Sequence, residues 1–331
     1  MTGPHRAIAA TRVAVRRAFA QLAQADQIKH GGLVLVACSG GADSLALAAA
    51  VAFEAPRSGL SAGAVIVDHG LQEGSSAVAD RAADQCRRLS LDPVEVVTVK
   101  VTATGAGPEA EARTARYQAF ADVTERLGAV VILLGHTRDD QAEQVLLGLA
   151  RGSGARSLSG MPARRGPYVR PLLGVPRAIT AAACEAAGLE AWVDPQNSDP
   201  AYGRVRARGL LPVLETELGR GTVAALARSA DLLREDADAL DDLAAQARAE
   251  IGRQIEATKL LTLPRAIRTR LWRLLALEAG CPPGALFATH IDLLDSLVTG
   301  WRGQGPIDLP GQVQGSRRDG RVFVAPTGQV E

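Results

Sequence analysis

Hydrophobic positions along roughly the first 200 residues follow two rhythms. Residues 33–38, 64–68, 94–99 and 129–134 are short, nearly all apolar and rich in β-branched side chains, the composition of strands buried on both faces of a parallel sheet. Between them, residues 44–55, 75–89 and 109–127 are Ala-rich and long enough to serve as crossover helices. This alternation predicts an α/β fold with a doubly wound, mainly parallel sheet, and ligands in such sheets sit outside the carboxyl ends of the strands. The N-terminal segment predicts a short amphipathic helix. Beyond residue 150 the rhythm loosens. Residues 151–176, rich in Gly, Pro and Arg, predict an extended loop or short strands, followed by a helix over 177–187 and a loop over 194–200. From residue 220 the signals are helical, with 224–249 the longest run and 265–279 stopped by Gly280, Pro282 and Pro283. The tail, 307–325, predicts a hairpin. A boundary near 210–225 divides the chain into an α/β domain over 1–215 and a smaller, mainly helical domain over 216–331.

Composition narrows the classes. With 331 residues and 47% hydrophobic residues the chain can build two cores, and no apolar run reaches the roughly 18–20 residues of a membrane span. The N-terminus lacks the apolar centre and cleavage site of a secretory signal. Cys38, Cys86, Cys184 and Cys281 are widely spread with no CxxC pair, which argues against a disulfide framework or a zinc or iron–sulfur site and for a reducing cytoplasm. Net charge is +1, but its distribution is uneven. Residues 144–184 hold no acid while Arg151, Arg156, Arg164, Arg165, Arg170 and Arg177 fall there, with Arg204, Arg206 and Arg208 soon after. Such a band can hold a polyanion or simply be solvated surface.

The strongest local signal is Cys38-Ser39-Gly40-Gly41-Ala42-Asp43-Ser44, between an apolar strand and an Ala/Leu helix. Two glycines permit a tight turn and close approach of a ligand. The first N–H groups of the helix are unpaired and carry partial positive charge, and with the hydroxyls of Ser39 and Ser44 they form a cradle for phosphate oxygens. Asp43 would repel that anion unless a divalent cation lies between them, so it predicts Mg²⁺. The competing reading is an ordinary strand–helix turn with Ser as N-cap. There is no Walker A lysine and no GxGxxG. The loop resembles instead the PP-loop of enzymes that cleave ATP between the α- and β-phosphates.

Further along come Val67-Asp68-His69-Gly70-Leu71, Glu109-Ala110-Glu111-Ala112-Arg113-Thr114-Ala115-Arg116-Tyr117, and Leu134-Gly135-His136-Thr137-Arg138-Asp139-Asp140-Gln141-Ala142-Glu143. Then follow Arg151-Gly152-Ser153-Gly154, Leu158-Ser159-Gly160-Met161, Arg170-Pro171-Leu172-Leu173, Asp194-Pro195-Gln196-Asn197-Ser198-Asp199 and Arg204-Val205-Arg206-Ala207-Arg208. Over roughly residues 30–215 this ordered set resembles the tRNA(Ile)-lysidine synthetase family. Val205 departs from the family pattern, which has Asn between the two Arg residues.

The resemblance implies two steps: ATP adenylates the C2 oxygen of the wobble cytidine of tRNA(Ile) with a CAU anticodon, then the ε-amine of lysine displaces AMP. It implies ATP and Mg²⁺ as cofactors, with Asp43 as the metal ligand and Arg113 or Arg116 as the α-phosphate partner. Asp68 and His69 are expected near the nucleotide. Asp140 and Glu143, three apart and hence on one helix face, would hold the lysine ammonium and take its proton. His136 would share in proton transfer or hydrogen-bond the loop, and Asp139 is expected as a helix-terminal acid. Arg151, Arg164, Arg165, Arg170, Arg204, Arg206 and Arg208 are the expected RNA contacts, with Tyr168, Trp192 and Tyr202 for stacking. The second domain would bind the tRNA body through the face Arg265, Arg268, Arg270 and Arg273, without the further C-terminal domain of longer members. No membrane is expected, and oligomeric state stays open, a homodimer being one expectation. The alternatives are a PP-loop tRNA thiolase, an amidating synthetase, and a non-catalytic adenine-nucleotide sensor.

Overall fold

The computed structural model of the chain describes residues 3–70, 74–100, 107–152, 154–194, 199, 201–252 and 255–328. The chain falls into two compact units, residues 1–233 and 234–331. The division lies inside a long helix, where the sequence pattern had suggested a step at 215/216.

The first unit runs α1 (Arg6–Gln24), β1 (Leu33–Ala37), α2 (Ala42–Glu54), β2 (Ser61–Asp68), α3 (Ser75–Arg88), β3 (Val94–Thr98), α4 (Pro108–Leu127), β4 (Val131–Leu134) and α5 (Arg138–Ala150). It continues through α6 (Ala155–Leu158), β5 (Arg164–Arg165), β6 (Tyr168–Val169), α7 (Arg177–Ala186), α8 (Gly203–Glu217) and the start of α9 (Thr222–Ile251). Every strand and crossover helix read from the hydrophobic pattern is present within a few residues. The sheet order is β3-β2-β1-β4-β6-β5, parallel except for the β5–β6 pair.

Alternation along the strands feeds two cores. Val34, Val36, Ala64, Ile66, Val131 and Leu133 join one cluster, while Leu35, Val65, Ile132 and Leu134 join another with Phe120 and Val123 of α4. Because both faces are covered, the strands are apolar throughout. The N-terminal helix completes the first of these layers: α1, α2 and α7 pack on one another, so α2 is wedged between the sheet and two helices, and Leu45, Leu47, Ala48 and Val51 are all buried. The chain builds outward from β1 through β2 to β3, then returns to place β4 on the other side of β1. That reversal is the switch point at which such sheets open a crevice for ligands.

The second unit is mainly helical but holds more sheet than a hairpin. The remainder of α9 leads to β7 (Ile255–Glu256), α10 (Ala257–Thr262), α11 (Arg265–Glu278), α12 (Ala288–Thr299), β8 (Ile307–Leu309), β9 (Val313–Arg318) and β10 (Arg321–Pro326). The expected hairpin, β9–β10, is the centre of an antiparallel sheet ordered β7-β10-β9-β8. Trp272, Leu260, Leu271, Leu294 and Leu297 form its core with Val313 and Val322.

The basic face expected on α11 is committed within this unit. Arg265 pairs with Asp292 at 2.7 Å, Arg270 with Asp241 at 2.7 Å, and Arg273 donates to the carbonyls of Leu286 and Pro283. Arg268 is buried and forks onto Asp295, Nε to Oδ1 at 2.6 Å and Nη2 to Oδ2 at 3.0 Å, while Trp272 Nε1 donates to the same carboxylate at 3.0 Å. Burial would raise the Asp295 carboxyl, but these donors hold it below the usual carboxylate range.

Replacing Asp295 with Ala strands a buried guanidinium and an indole N–H. Asp295→Ala is therefore expected to destabilise the second unit by about 3–5 kcal/mol, read from its denaturant midpoint. A cost within about 0.5 kcal/mol of zero, the range of ordinary surface substitutions, would show that the network contributes little.

Candidate active site at the carboxyl edge of the sheet

The β1–α2 turn is shaped so that its amides face outward. Cys38 still donates to the Val65 carbonyl at 2.9 Å, extending the strand pairing. Gly40 then takes φ +80°, and an added Cβ would come within 3.3 Å of Ala82. Gly41, in extended conformation, is the N-cap of α2, and Leu45 N–H to the Gly41 carbonyl at 3.0 Å starts the helical ladder. The Ser44 hydroxyl donates to the Gly41 carbonyl at 2.9 Å and accepts from the Ser39 N–H at 3.2 Å. Ser44, expected at the phosphates, thus braces the loop from inside, and the N-cap is Gly41 rather than a serine. Trp192 N–H grips the loop from the other side through the Gly40 carbonyl at 2.9 Å. The Gly40 N–H is turned onto the Cys38 sulfur; among the described residues, the N–H groups of Gly41, Ala42 and Asp43 have no backbone acceptor, so together with the positive end of α2 they form an anion cradle.

The β4–α5 turn lies directly against this loop. An added Cβ on Gly135 would meet the backbone of Asp43 and Ser44 at 3.1 Å. At the start of α5, the carboxylate of Asp140 accepts the Thr137 N–H at 2.7 Å and the Thr137 hydroxyl at 2.8 Å, so it also caps its own helix. Asp139 accepts the Arg177 N–H at 2.8 Å, which makes it a first-turn acid of α5 that caps α7.

Asp43, Asp140 and Glu143 meet at one side chain, Arg177 of α7. Its Nη2 lies 2.6 Å from Asp140 Oδ1, its Nη1 2.9 Å from Glu143 Oε1 and its Nε 3.5 Å from Asp43 Oδ2. Arg208 Nε adds a second bond to Glu143 Oε1 at 2.9 Å, and the Thr180 hydroxyl donates to Asp43 Oδ1. Burial pushes the Asp43 carboxyl above its ordinary value, only partly opposed by Thr180 and Arg177. Burial acts the same way on Asp140, but there Arg177 and Thr137 outweigh it and hold the acid below the ordinary range. Sequence spacing set Asp140 and Glu143 on one face, as found; it did not show both committed to guanidinium partners. Arg177 was visible only as one of a band.

His136 interacts electrostatically with Asp140 of this cluster. Burial drives its imidazole down to about 4, and Arg170, Arg204 and Arg113 add to the effect against the opposing pull of Asp140. Its Nδ1 is buried without a protein partner, as are Arg170 Nε and His69 Nδ1; unpaired buried groups of this kind point to a ligand site. On the neighbouring strand end, Asp68 accepts the Gly70 N–H at 3.0 Å and Arg116 Nε donates to His69 Nε2 at 3.1 Å. Arg113 is exposed and lies over the Tyr117 ring.

The Arg band separates into two groups. Arg151, Arg165 and Arg206 are exposed and Arg164 half-buried. Arg170, expected among the RNA contacts, is only 5% exposed, and Arg208 is tied to Glu143, so both belong to the site wall. Tyr168 is spent on Tyr117, with ring centroids 4.8 Å apart, leaving Trp192 and Tyr202 half-buried. Leu71, Ser153 and residues 195–198 of the motif set lie outside the described residues. The four cysteines are free and buried. Cys38 and Cys86, distant in sequence, share the protonation of one buried pair: the Cys38 thiol is lowered to about 7 and that of Cys86 is raised.

Residues 11–214 match the family described as PP-loop domain, and residues 256–323 that described as TilS substrate binding domain. The chain is similar to the tRNA(Ile)-lysidine synthase of Thermobifida fusca, 56% identical over 98% of this chain and 99% of that one. It is also similar to that of Streptomyces coelicolor, 52% identical over 97% and 99% respectively, and to that of Salinispora tropica, 51% identical over 98% of each. Among solved structures it is similar in fold to the U34-tRNA thiolase NcsA of Methanococcus maripaludis with its [4Fe-4S] cluster. That likeness has a TM-score of 0.57 at 19% identity, over 69% of this chain and 80% of that one.

His136 is expected to stay neutral from pH 8 to about 5.5, because its folded value lies near 4 against 6.5 in the unfolded chain. Between those values the unfolded state holds more protons, so stability from this residue is lost as pH falls from about 6.5 toward 4. His136→Gln should flatten that part of the stability–pH curve, and NMR of the imidazole should show no protonation above pH 5.5. A midpoint near 6.5 would contradict the burial argument.

Proposed function

The chain belongs to the tRNA(Ile)-lysidine synthase family, and we propose that it uses ATP to join L-lysine to C2 of the wobble cytidine of tRNA(Ile) with a CAU anticodon, through an adenylated cytidine, with release of pyrophosphate and AMP. The observation that carries this reading is the set of free amides at Gly41, Ala42 and Asp43 set against the carboxylates of α5 at the switch point of the sheet.

In the first step the amide cradle holds the departing diphosphate, whose charge the helix end and amides stabilise. Among the described residues no group of three or more His, Cys, Asp or Glu is arranged to hold a metal alone. One hard carboxylate beside phosphate oxygens nevertheless fits Mg²⁺, which takes one or two carboxylates and fills its octahedron with phosphate and water. Asp43, already facing a cation in Arg177, is that carboxylate. Bound there, the ion would neutralise phosphate charge. Arg113 and Arg116, near the strand ends that carry Asp68 and His69, supply guanidinium donors to the α-phosphate. Asp68 and His69 line the nucleotide side.

The second step needs a neutral amine, and at pH 7 only about one free lysine ε-amine in a few thousand is unprotonated. Asp140 and Glu143 hold the ammonium, orient it toward C2 and provide the acceptor for its proton. His136, neutral in the working range, offers a hydrogen bond without adding charge. Exposed Arg151, Arg165 and Arg206, with half-buried Arg164 and Arg204, supply phosphate contacts that position the anticodon arm without reading sequence, and Trp192 beside the cradle is suited to stack an unpaired base. The second unit contributes to tRNA recognition, by surfaces other than the paired guanidiniums of α11. Thiolase chemistry fits less well, because a sulfur donor must be presented to substrate and the cysteines here are buried. A tRNA substrate and free thiols suit a reducing cytoplasm.

Pyrophosphate release is expected only when ATP, Mg²⁺ and tRNA(Ile) are present together, and AMP release only when lysine is added. Release indifferent to both tRNA and lysine would discard the assignment. Asp43→Asn should abolish pyrophosphate release in a folded protein, and wild-type turnover in that variant would remove Asp43 from the metal site. Replacing Arg164 and Arg165 with Ala should reduce the log–log salt dependence of tRNA binding by roughly 1.5 units; an unchanged slope would exclude both from the interface.

A further inference from the structure

No step of the chemistry above uses Arg177, yet its guanidinium touches all three carboxylates assigned to cations. Asp43 is assigned to Mg²⁺, Asp140 and Glu143 to the lysine ammonium, and Arg177 reaches them at 3.5, 2.6 and 2.9 Å in that order. One side chain therefore covers both cation positions. We propose that Arg177 is the resident counter-cation of this pair of sites: it neutralises them in the ligand-free protein and gives up carboxylates to each arriving cation, so that filling one site eases entry to the other. The assignment of the amine rests on the lysidine reading; the metal half does not.

The distances rank the releases. Asp43 is held most loosely, and its Oδ1 is already engaged by Thr180, so a metal ion needs only Oδ2 to be freed. Asp140 and Glu143 are at charge-assisted hydrogen-bond distance. The Glu143 side chain is 3% exposed and that of Arg177 25%, so an amine reaches Glu143 only once the guanidinium has moved. The place to which it moves is close by. The Nε contact with Asp43, in the first turn of α2, sets Arg177 beside the amide cradle, and phosphate oxygens arriving there are a better partner for a planar guanidinium than a carboxylate claimed by a metal. Arg208 stays on Glu143, so that carboxylate is never left without a cation. Nucleotide, metal and lysine are thereby coupled through one shared group, and the coupling is reciprocal. The arrangement also lowers the affinity of the ligand-free site for stray amines and metal ions, since each must displace a cation already in place.

Removing Arg177 leaves Glu143 with Arg208 and takes the guanidinium away from Asp43 and Asp140. A missing counter-cation and a missing structural brace then predict different responses to added cations. Wild-type protein, Arg177→Met and Arg177→Lys are compared by thermal unfolding without nucleotide or tRNA, in buffer, in millimolar MnCl₂ and in millimolar lysine. The wild-type midpoint is expected to be nearly indifferent to either addition. Arg177→Met should melt several degrees lower in buffer and recover most of that loss in Mn²⁺, and part of it in lysine, because a cation that binds the folded state alone stabilises it by mass action. Arg177→Lys keeps the charge but cannot span three carboxylates, and should fall between the two in both loss and recovery; it decides the question if the Met variant does not fold. A loss that neither cation recovers would make Arg177 a brace only, and an unchanged midpoint would deny it any counter-charge role. Recovery by Mn²⁺ but not lysine would overturn the amine half. Wild-type AMP release dependent on lysine and tRNA is measured in parallel: its absence would sink the lysidine reading while Mn²⁺ recovery still upheld the metal half.

Discussion

The chemistry at the carboxyl edge depends on one steric constraint, the contact of Gly135 with the backbone of Asp43 and Ser44. No Cβ fits there without displacing main-chain atoms. Because that contact is made, the turn after β1 and the turn after β4 share a wall, and the amides of one lie near the carboxylates of the other. Without it, the loop of Ser39–Ser44 and the helix that carries Asp140 and Glu143 would be neighbours in the sheet but not parts of one site. The doubly wound order supplies the neighbourhood, since β4 is laid beside β1 only after the chain has gone out to β3 and returned.

Electrostatics then does what packing cannot. Three carboxylates brought this close repel unless cations separate them, and the protein answers with Arg177 and Arg208 from helices distant in sequence. The consequence is a division of labour among acids of one type. Asp43 stays raised by burial, Asp140 is depressed by its donors, and Asp139 caps a neighbouring helix. On the opposite side, three guanidiniums and burial keep His136 neutral. A site with one cationic and one anionic wall suits the proposed joining of an adenylated base to lysine.

The second unit follows a different logic. Its arginines on α11 look, in sequence, like the surface of a nucleic-acid helix, but the fold turns most of them onto acids or carbonyls of the same unit. A charged stripe on an isolated helix carries no information about what lies across from it, and Asp241, Asp292 and Asp295 arrive from other helices.

Hydrophobic period alone was sufficient for β1 to β4 and the crossover helices between them, because apolar runs and Ala-rich stretches have few other ways to be buried. Local spacing was sufficient for the turn at Gly40, where a positive φ restricts the residue, and for setting Asp140 and Glu143 on one face. Only the tertiary structure decided that Arg177 joins Asp43 to those acids, that Arg170 is buried beside His136, that Ser44 braces the loop and that Cys38 meets Cys86. Those pairings are made between segments far apart in the chain. Charge and hydrogen bonding act across space over a few ångströms, whereas sequence pattern records only the neighbours along a single element.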